Sequence, residues 1–413
     1  MHMQMPAPTL PPELIDLIVN SVDTNDRATL KACSLAAFAF RRPAQKRLHA
    51  HISVACGPST HTTTTFSELL DRLQTHPHLA MYADTLTVKL TSATDIPTHQ
   101  TAAASAFSLL ANVRRLHISS SDPRWAFGGH IGWRDIVDLG LADWIATLGA
   151  RGMLEFLSLR GVTEVPPSAL SLLATAQHLE VCLVNITLED EFDAGAGTLE
   201  MLDQTPSKTT TQLQELSTVC SPSLIRTLLR PEFTSRTKNI HTLRLRWPET
   251  PGMYLSQAAN ATGAHDAVHS LPALQNIFYT VPLAAQDFSK RPRPRLPDPN
   301  IKTNKHILDF LIQALANTPI LRSVPLTLVF ECPGQTIFGA EALFDFEFDA
   351  EAFGKLDESL APHPTLREVR CVALRQRSEL RVVEEQWAHQ PALFEAFEQA
   401  LPRAKARGLL CAA

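Results

Sequence analysis

A short apolar pattern, x-x-L-x-x-L-x-L, recurs along most of the chain. Each occurrence predicts a short strand whose alternate residues are buried. The pattern falls on Leu86 and Val88; Val113, Leu116 and Ile118; Leu154, Leu157 and Leu159; Leu179, Cys182 and Val184; Leu213 and Leu216; Ile240, Leu243 and Leu245; Leu274 and Ile277; and Leu366, Val369 and Cys371.

Helical stretches lie between these strands, for example FSELLDRLQ and PALFEAFEQALP. A strand, a helix and a second similar strand form one unit, and stacked units bury a continuous core while leaving one strand face exposed. The intervals between strands vary from about 25 to about 50 residues, longer than in ordinary leucine-rich repeats. We therefore predict an irregular, leucine-rich-repeat-like α/β solenoid over residues 55–413, with an exposed Pro/Arg-rich insertion near 290–300.

Composition and charge exclude several classes of protein. The chain has 413 residues, 45% of them hydrophobic and 19% charged, which is a globular composition. Its formal net charge of -5 lacks the positive excess of a protein that coats nucleic acid or an anionic membrane. No secretory signal or membrane-length apolar run is evident, so we expect a cytoplasmic or nuclear protein. We also expect residues 1–9 to be disordered.

Sites for catalysis, cofactors and metals are not predicted. The seven cysteines are spread singly, which argues against a disulfide framework and against a cysteine zinc site. The histidine pairs His76/His78 and His49/His51 lack further ligands at a suitable spacing. No phosphate-binding glycine loop or nucleophile elbow is present. We expect a non-catalytic protein without a cofactor.

The stretch LPPELIDLIVNSV, Leu10 to Val22, predicts a short helix with an unusually wide apolar surface. Its apolar side chains cover an arc of roughly 200°, about twice what one core requires. The arc consists, in order, of Leu17, Leu14, Ile18, Val22, Ile15 and Val19. Either both halves are buried within the chain, one against the next helix and one against the repeats, or one half binds a partner.

Three consecutive stretches, LPPELIDLIVNSV, TLKACSLAAFAF and RRPAQKRLHAHISV, resemble the F-box domain of fungal F-box proteins that carry leucine-rich-repeat-like C-terminal regions. The resemblance covers residues 10–54, as an all-α F-box-like domain. It implies a substrate-recruiting subunit of a Skp–cullin–F-box type ubiquitin ligase, in which partner subunits carry out ubiquitin transfer. It also implies that a Skp-type adaptor, and through it a cullin, binds Leu10, Pro11, Leu14, Ile15, Ile18, Leu30 and Leu35.

The chain departs from this family where relatives usually show Val-Cys-Arg-x-Trp. Here the corresponding residues are Ala36, Ala37, Phe38, Ala39 and Phe40. The reduced bulk at Ala36 and the missing basic residue bear on adaptor affinity rather than on the fold. The alternative function is a repeat scaffold that binds a protein partner and has no ligase role.

The exposed strand face predicts where a target binds. Residues between and just after the buried leucines point outward, and among them Lys and Arg outnumber Asp and Glu. The candidate target-binding residues are Arg115, Phe156, Arg160, Arg244, Arg246 and Arg370. Because Arg pairs well with carboxylate and phosphate, we predict an acidic or phosphorylated target anchored by Arg160, Arg244 and Arg246. The alternative is a solubilising surface whose cations pair with acids of the same chain.

Overall fold

The fold is known from a computed structural model that describes most of the N-terminal half and the strands of the C-terminal half. The described residues are 10–23, 26–57, 63–91, 95–120, 131–182, 184, 186, 213–219, 234–246, 273–280, 312, 326–334, 350–375, 387–388 and 391–412. The chain divides into unit 1, residues 1–158 with 207–210, and unit 2, residues 159–206 with 211–413. The predicted α/β class is confirmed, with N-terminal helices followed by parallel strands.

Unit 1 begins with three helices and continues with strands that alternate with helices. Its helices are α1 (Pro12–Ser21), α2 (Arg27–Ala36), α3 (Phe38–His49), α4 (Phe66–Thr75), α5 (Ile96–Leu109), α6 (Trp133–Asp138) and α7 (Leu141–Ala150), with a 3-10 helix at Pro77–Tyr82. Its strands are β1 (His51–Cys56), β2 (Thr64–Thr65), β3 (Thr85–Leu90), β4 (Arg115–Ser120) and β5 (Ile131–Gly132). The unit boundary falls within β6 (Phe156–Arg160).

The three N-terminal helices share a small core of their own. Val19 of α1, Leu30 of α2, and Ala44 and Leu48 of α3 form a buried cluster, against which Phe40 also packs. The guanidinium of Arg47 donates a hydrogen bond to the carbonyl oxygen of Val19, which ties α3 to the end of α1. This core uses only one side of α1.

In unit 1 the strand order is β2–β1–β3–β4, and all of these neighbours are parallel. In-register partners such as Leu86 and Leu116 are fully buried, as are Val88 and Ile118. The alternation predicted for these strands is therefore confirmed. β1 starts at His51, so the first strand of this sheet includes residues at the end of the region predicted to be helical, 10–54.

Helices cover the buried face of these strands. α4 begins with a capping box, in which Glu68 N–H donates to Thr65 Oγ1 and Thr65 N–H donates to the Glu68 carboxylate. Phe66 of α4 meets Phe107 of α5 edge to face, and Phe107 stacks on Trp144 of α7 at 4.8 Å between ring centroids. Aromatic packing therefore links successive helices of unit 1.

Unit 2 also consists of parallel strands and helices. Its helices are α8 (Pro167–Leu173), α9 (Thr234–Thr237), α10 (Ala350–Leu360), α11 (Pro391–Ala400) and α12 (Pro402–Ala406). Its strands are β7 (Val162–Thr163), β8 (His178–Cys182), β9 (Glu215–Val219), β10 (Thr242–Arg246), β11 (Asn276–Thr280), β12 (Leu326–Gly334), β13 (Leu366–Arg375), β14 (Trp387–Ala388) and β15 (Leu410–Ala412). From β8 to β13 each strand pairs in parallel with the next, and β13 also pairs with β14 and β15.

One strand is in a different frame from the prediction. In β8 the buried residues are Leu179 and Val181, which are level with Leu216 and Thr218 of β9, whereas Cys182 was predicted to be buried. The pattern therefore begins at Ala176, three residues earlier than predicted, and Ala176 is fully buried. Since a one-residue slip exchanges the two faces of a strand, Val181 does not belong to the exposed face.

The C-terminal end of unit 2 is fixed by hydrogen bonds across a gap of more than forty residues in sequence. Asp357 of α10 is 2% exposed, and its carboxylate accepts the backbone N–H groups of Arg403 and Ala404, each at 2.8 Å. It serves as the N-terminal cap of α12, because Leu401 at the N-cap position has no side-chain acceptor. Arg407 in turn donates to the carbonyl oxygens of Leu360, Ala361 and His363 after the end of α10.

Some predictions lie outside the described residues. These are the disorder of residues 1–9, the Pro/Arg-rich insertion at 290–300, and the side chain of Arg246.

We predict that Asp357→Ala lowers the free energy of unfolding by about 1–3 kcal/mol, because one buried and one partly buried backbone N–H group lose their acceptor. The check is urea denaturation, together with amide hydrogen exchange over 402–412. The control is Glu358→Ala, since Glu358 pairs with Arg403 at 3.2 Å and both side chains are 60% exposed. The control should change stability by less than about 0.5 kcal/mol, and an equal loss in both variants would contradict the capping role of Asp357.

Candidate functional site

The apolar arc of α1 is divided between the interior and solvent. Ile15 and Val19 point into the protein and are 6% and 0% exposed. Leu14, Leu17 and Ile18, on the other half of the arc, are 47%, 67% and 41% exposed. The first alternative from the sequence, in which both halves are buried within the chain, is therefore not what the structure shows.

Two more apolar side chains are exposed near the junction of α2 and α3. Leu35 is 82% exposed and Phe38 is 85% exposed. Arg41, one turn later in α3, lies over the Phe38 ring at 5.6 Å from its centroid, within the range of a cation–π contact. We call Leu10, Leu14, Leu17, Ile18, Leu35 and Phe38 together the apolar helix residues.

The structure changes the set of residues expected to contact an adaptor. Leu10, Pro11, Leu14, Ile18 and Leu35 are exposed, as that role requires. Ile15 and Leu30 are buried in the single chain, so a partner would reach them only if the helices unpacked, and their assignment as contacts stays a prediction. Leu17 and Phe38, which the resemblance did not assign, are exposed.

The residues that differ from the F-box pattern that the sequence resembles have defined structural positions. Ala37 has an extended backbone, with φ -156° and ψ 154°, and separates α2 from α3. Phe40 occupies the position of the usual tryptophan and packs against the helix core. Phe38 occupies the position of the usual basic residue and adds apolar surface instead of charge.

A second candidate surface is the outward side of the strands in unit 1. The register places His51, Thr85 and Arg115 level with one another, and likewise Ser53, Thr87 and His117, then Ala55, Lys89 and Ser119. His51 Nε2 and Thr87 Oγ1 share a hydrogen bond of 2.9 Å. The rings of His117 and Phe156 lie 5.0 Å apart between centroids. Of the predicted target residues, Arg115 and Phe156 are brought together here.

The imidazoles of this face are held neutral. Burial is the main cause that lowers the pKa of His117 to about 4, and the neighbouring His51 and Arg115 lower it further. Burial also lowers the pKa of His51, and Arg27 and Lys89 lower it further. Each shift opposes protonation mainly because the charged ring would be shielded from water, and also because it would lie among like charges.

In unit 2 the predicted arginine anchors are already paired. Arg244 forms an ion pair with Glu215 of the neighbouring strand, and its guanidinium lies 3.8 Å from the Phe278 ring centroid. Arg370 donates to Glu368 at 2.6 Å, and this hydrogen bond raises the pKa of the Arg370 guanidinium. Arg244 is therefore already engaged by an acid of its own chain, and its role as an anchor for an acidic target stays a prediction. Arg160 is exposed at the end of β6.

Other kinds of site find no support in the part of the chain that the structure describes. That part has no group of three or more His, Cys, Asp or Glu side chains arranged to hold a metal ion, and no helix long and apolar enough to cross a membrane. Burial raises the pKa of the Cys56 thiol to about 12 and that of Cys182 to about 11. Neither thiol is therefore primed as a nucleophile.

Comparison with known proteins finds no family model and no curated protein that matches this chain. Among solved structures, the crystal structure of the Rad7 and Elc1 complex in yeast contains a similar chain. The match covers 90% of this chain and 91% of that one, at 12% sequence identity and a TM-score of 0.27. A similarity this low establishes neither a shared fold nor a shared partner, so the function of the chain is inferred from its own residues.

The depressed pKa of His117 predicts acid sensitivity. Between the unfolded-state pKa near 6.5 and the folded-state value of about 4, the unfolded chain takes up a proton that the folded chain does not, so stability falls as the pH falls. We expect His117→Asn to lose less stability than the wild type between pH 7 and pH 5, by about 1 kcal/mol after allowance for partial exposure.

The measurement is the free energy of unfolding at both pH values. The control is His76→Asn, which removes an exposed imidazole between the end of α4 and the start of the 3-10 helix. If His117→Asn and the wild type lose equal stability, His117 is not held neutral by its surroundings.

Proposed function

We propose that the chain is a substrate-recruiting F-box subunit of a Skp–cullin–F-box type ubiquitin ligase. Its N-terminal helices would bind a Skp-type adaptor, and its strand face would bind a protein target. Ubiquitin transfer would be carried out by partner subunits, and the contribution of this chain would be proximity, since holding a target raises its effective concentration near the transferring enzyme.

The observation that carries the proposal is the exposed half of the α1 arc. Leu14, Leu17 and Ile18 lie side by side on the helix and remain in contact with water, although the other half of the same arc is well packed. Full burial of such a side chain is worth about 1.5–3 kcal/mol, so leaving three of them exposed on one helix is unfavourable unless a partner covers them.

The helix core explains how this surface can stay exposed without loss of the fold. Val19, Leu30, Ala44 and Leu48 hold α1–α3 together, and none of them belongs to the exposed set. The exposed half of α1 is therefore not needed for the packing of these helices. Sequence resemblance in the same residues gives the class of partner, a Skp-type adaptor.

A protein-binding scaffold with no ligase role is the competing function. It would use the strand face in the same way but would leave the exposed half of α1 without an adaptor. The two functions therefore differ in what binds α1 and agree in what binds the strands.

We predict that the double variant Leu14→Asp/Ile18→Asp no longer co-purifies with a Skp-type adaptor. Each carboxylate would be transferred into an apolar interface without a partner, at a cost of several kcal/mol. The variant should keep the thermal stability of the wild type, because both side chains are exposed in the free chain. Adaptor recovery and the thermal unfolding midpoint are the two measurements.

The control is Asn20→Asp, which adds one carboxylate to α1 on the side away from the apolar arc. It should leave adaptor recovery unchanged. Recovery of the adaptor by the double variant at the wild-type level would contradict the ligase proposal and favour the scaffold.

A further inference from the structure

The outward face of the strands in unit 1 has an unbalanced charge. Along β1, β3 and β4 it carries cations, imidazoles and hydroxyl groups, and no carboxylate. We call His51, Thr87, Lys89, Arg115, His117 and Phe156 the unit 1 strand face. Among the described residues, neither Lys89 nor Arg115 forms an ion pair, and Arg115 is exposed.

The acids nearest to this face in sequence are engaged elsewhere. Asp84 precedes β3 and Glu155 precedes β6. Arg114 lies 4.0 Å from Asp84 and 3.0 Å from Glu155, so one guanidinium serves both carboxylates. These acids therefore leave Lys89 and Arg115 uncompensated.

The strands of unit 2 show the opposite arrangement. There Glu215 pairs with Arg244 and lies 3.7 Å from His178, and Glu368 pairs with Arg370. Arg244 on β10 pairs with a carboxylate of the adjacent strand, and Arg370 on β13 pairs with one on its own strand. On the described strands, Lys89 and Arg115 of unit 1 therefore lack the carboxylate partner that Arg244 and Arg370 have, on a chain whose net charge is -5.

We propose that the unit 1 strand face binds an anionic segment of the protein target, through phosphate or carboxylate groups. The inference rests on the proposed function, since it names the chemistry of the recruited target. It moves the acidic-target site from the arginines of β10 to the cations of β3 and β4.

The geometry suits one short extended segment. Neighbouring strands are about 4.8 Å apart and outward residues on one strand about 6.7 Å apart. Arg115 can donate two parallel hydrogen bonds to one anionic group, while Lys89 supplies a second positive charge two rows further along. Thr87 and the neutral imidazoles of His51 and His117 add hydrogen-bond donors between them, and Phe156 provides an apolar contact beside His117.

The test uses the full chain and three fluorescein-labelled probes of equal length. These are a peptide containing two phosphoserines, the same peptide with glutamates at those positions, and the same peptide with serines. Binding is followed by fluorescence anisotropy at low ionic strength. We expect the serine peptide not to bind. Binding of the phosphoserine peptide alone identifies phosphate as the recognised group, and binding of both anionic peptides shows that a carboxylate suffices.

The variant Lys89→Glu/Arg115→Glu should weaken the anionic peptides by at least about tenfold, because two attractive charges become repulsive. The control is Arg134→Glu/Arg151→Glu, which changes the net charge equally at exposed positions on α6 and after α7. It should bind within about twofold of the wild type. Equal loss in both variants would show that only net charge matters and would overturn the proposal.

Two further results would also overturn it. One is the failure of both anionic peptides to bind the wild type. The other is binding of a single-stranded oligonucleotide of equal charge as tightly as the peptides, with the same loss in Lys89→Glu/Arg115→Glu, which would make the partner a nucleic acid. The imidazole proton resonance of His117 gives an independent readout, because a bound anion should raise its pKa from about 4.

The outcome is separable from that of the adaptor experiment. Leu14→Asp/Ile18→Asp should bind the anionic peptides as the wild type does, and Lys89→Glu/Arg115→Glu should retain the adaptor. If the anionic peptides do not bind but the adaptor does, only the proposed target site is contradicted. If the adaptor does not bind but the anionic peptides do, only the proposed ligase role is contradicted.

Discussion

Alternate burial along parallel strands held in register determines both the core and the exposed face of each unit. Leu86 and Leu116 are buried as partners because the hydrogen-bonded register keeps them level, and the same register keeps Thr87 and His117 level on the opposite side. One constraint therefore produces both the core and the exposed face. Chemistry on the exposed face can vary without disturbing the packing, since the two sets of side chains do not overlap.

The two proposed surfaces differ in the force that would drive binding. The apolar helix residues would bind by loss of water contact, which changes little with ionic strength. The unit 1 strand face would bind by charge, which salt screens over about 8–10 Å at ordinary ionic strength. Under the proposed function, the chain would hold an adaptor through changes of conditions while its target would exchange more readily, because only the second interaction would respond to salt or to phosphorylation of the partner.

Sequence patterns predicted the parts of the fold that depend on local periodicity. The strands at Leu86/Val88 and Leu157/Leu159, the helix at FSELLDRLQ and the wide arc of α1 all follow from spacing. The frame of β8 was missed because Val181 and Cys182 are both apolar, so two registers satisfy the pattern. β12 was also missed, although Leu326, Leu328 and Phe330 alternate and were a usable signal.

Predictions that depend on tertiary contacts could not be made from spacing. Which half of the α1 arc is buried is decided by α2 and α3, which reach Val19 but not Leu14. Whether an arginine is available is decided by its neighbour across the sheet, and Glu215 precedes Arg244 by 29 residues. Charge counts along a strand therefore overestimate an anion site wherever the adjacent strand supplies an acid at the same level. By this criterion Lys89 and Arg115 remain the better candidates, because the outward residues level with them on β1, β3 and β4 include no carboxylate.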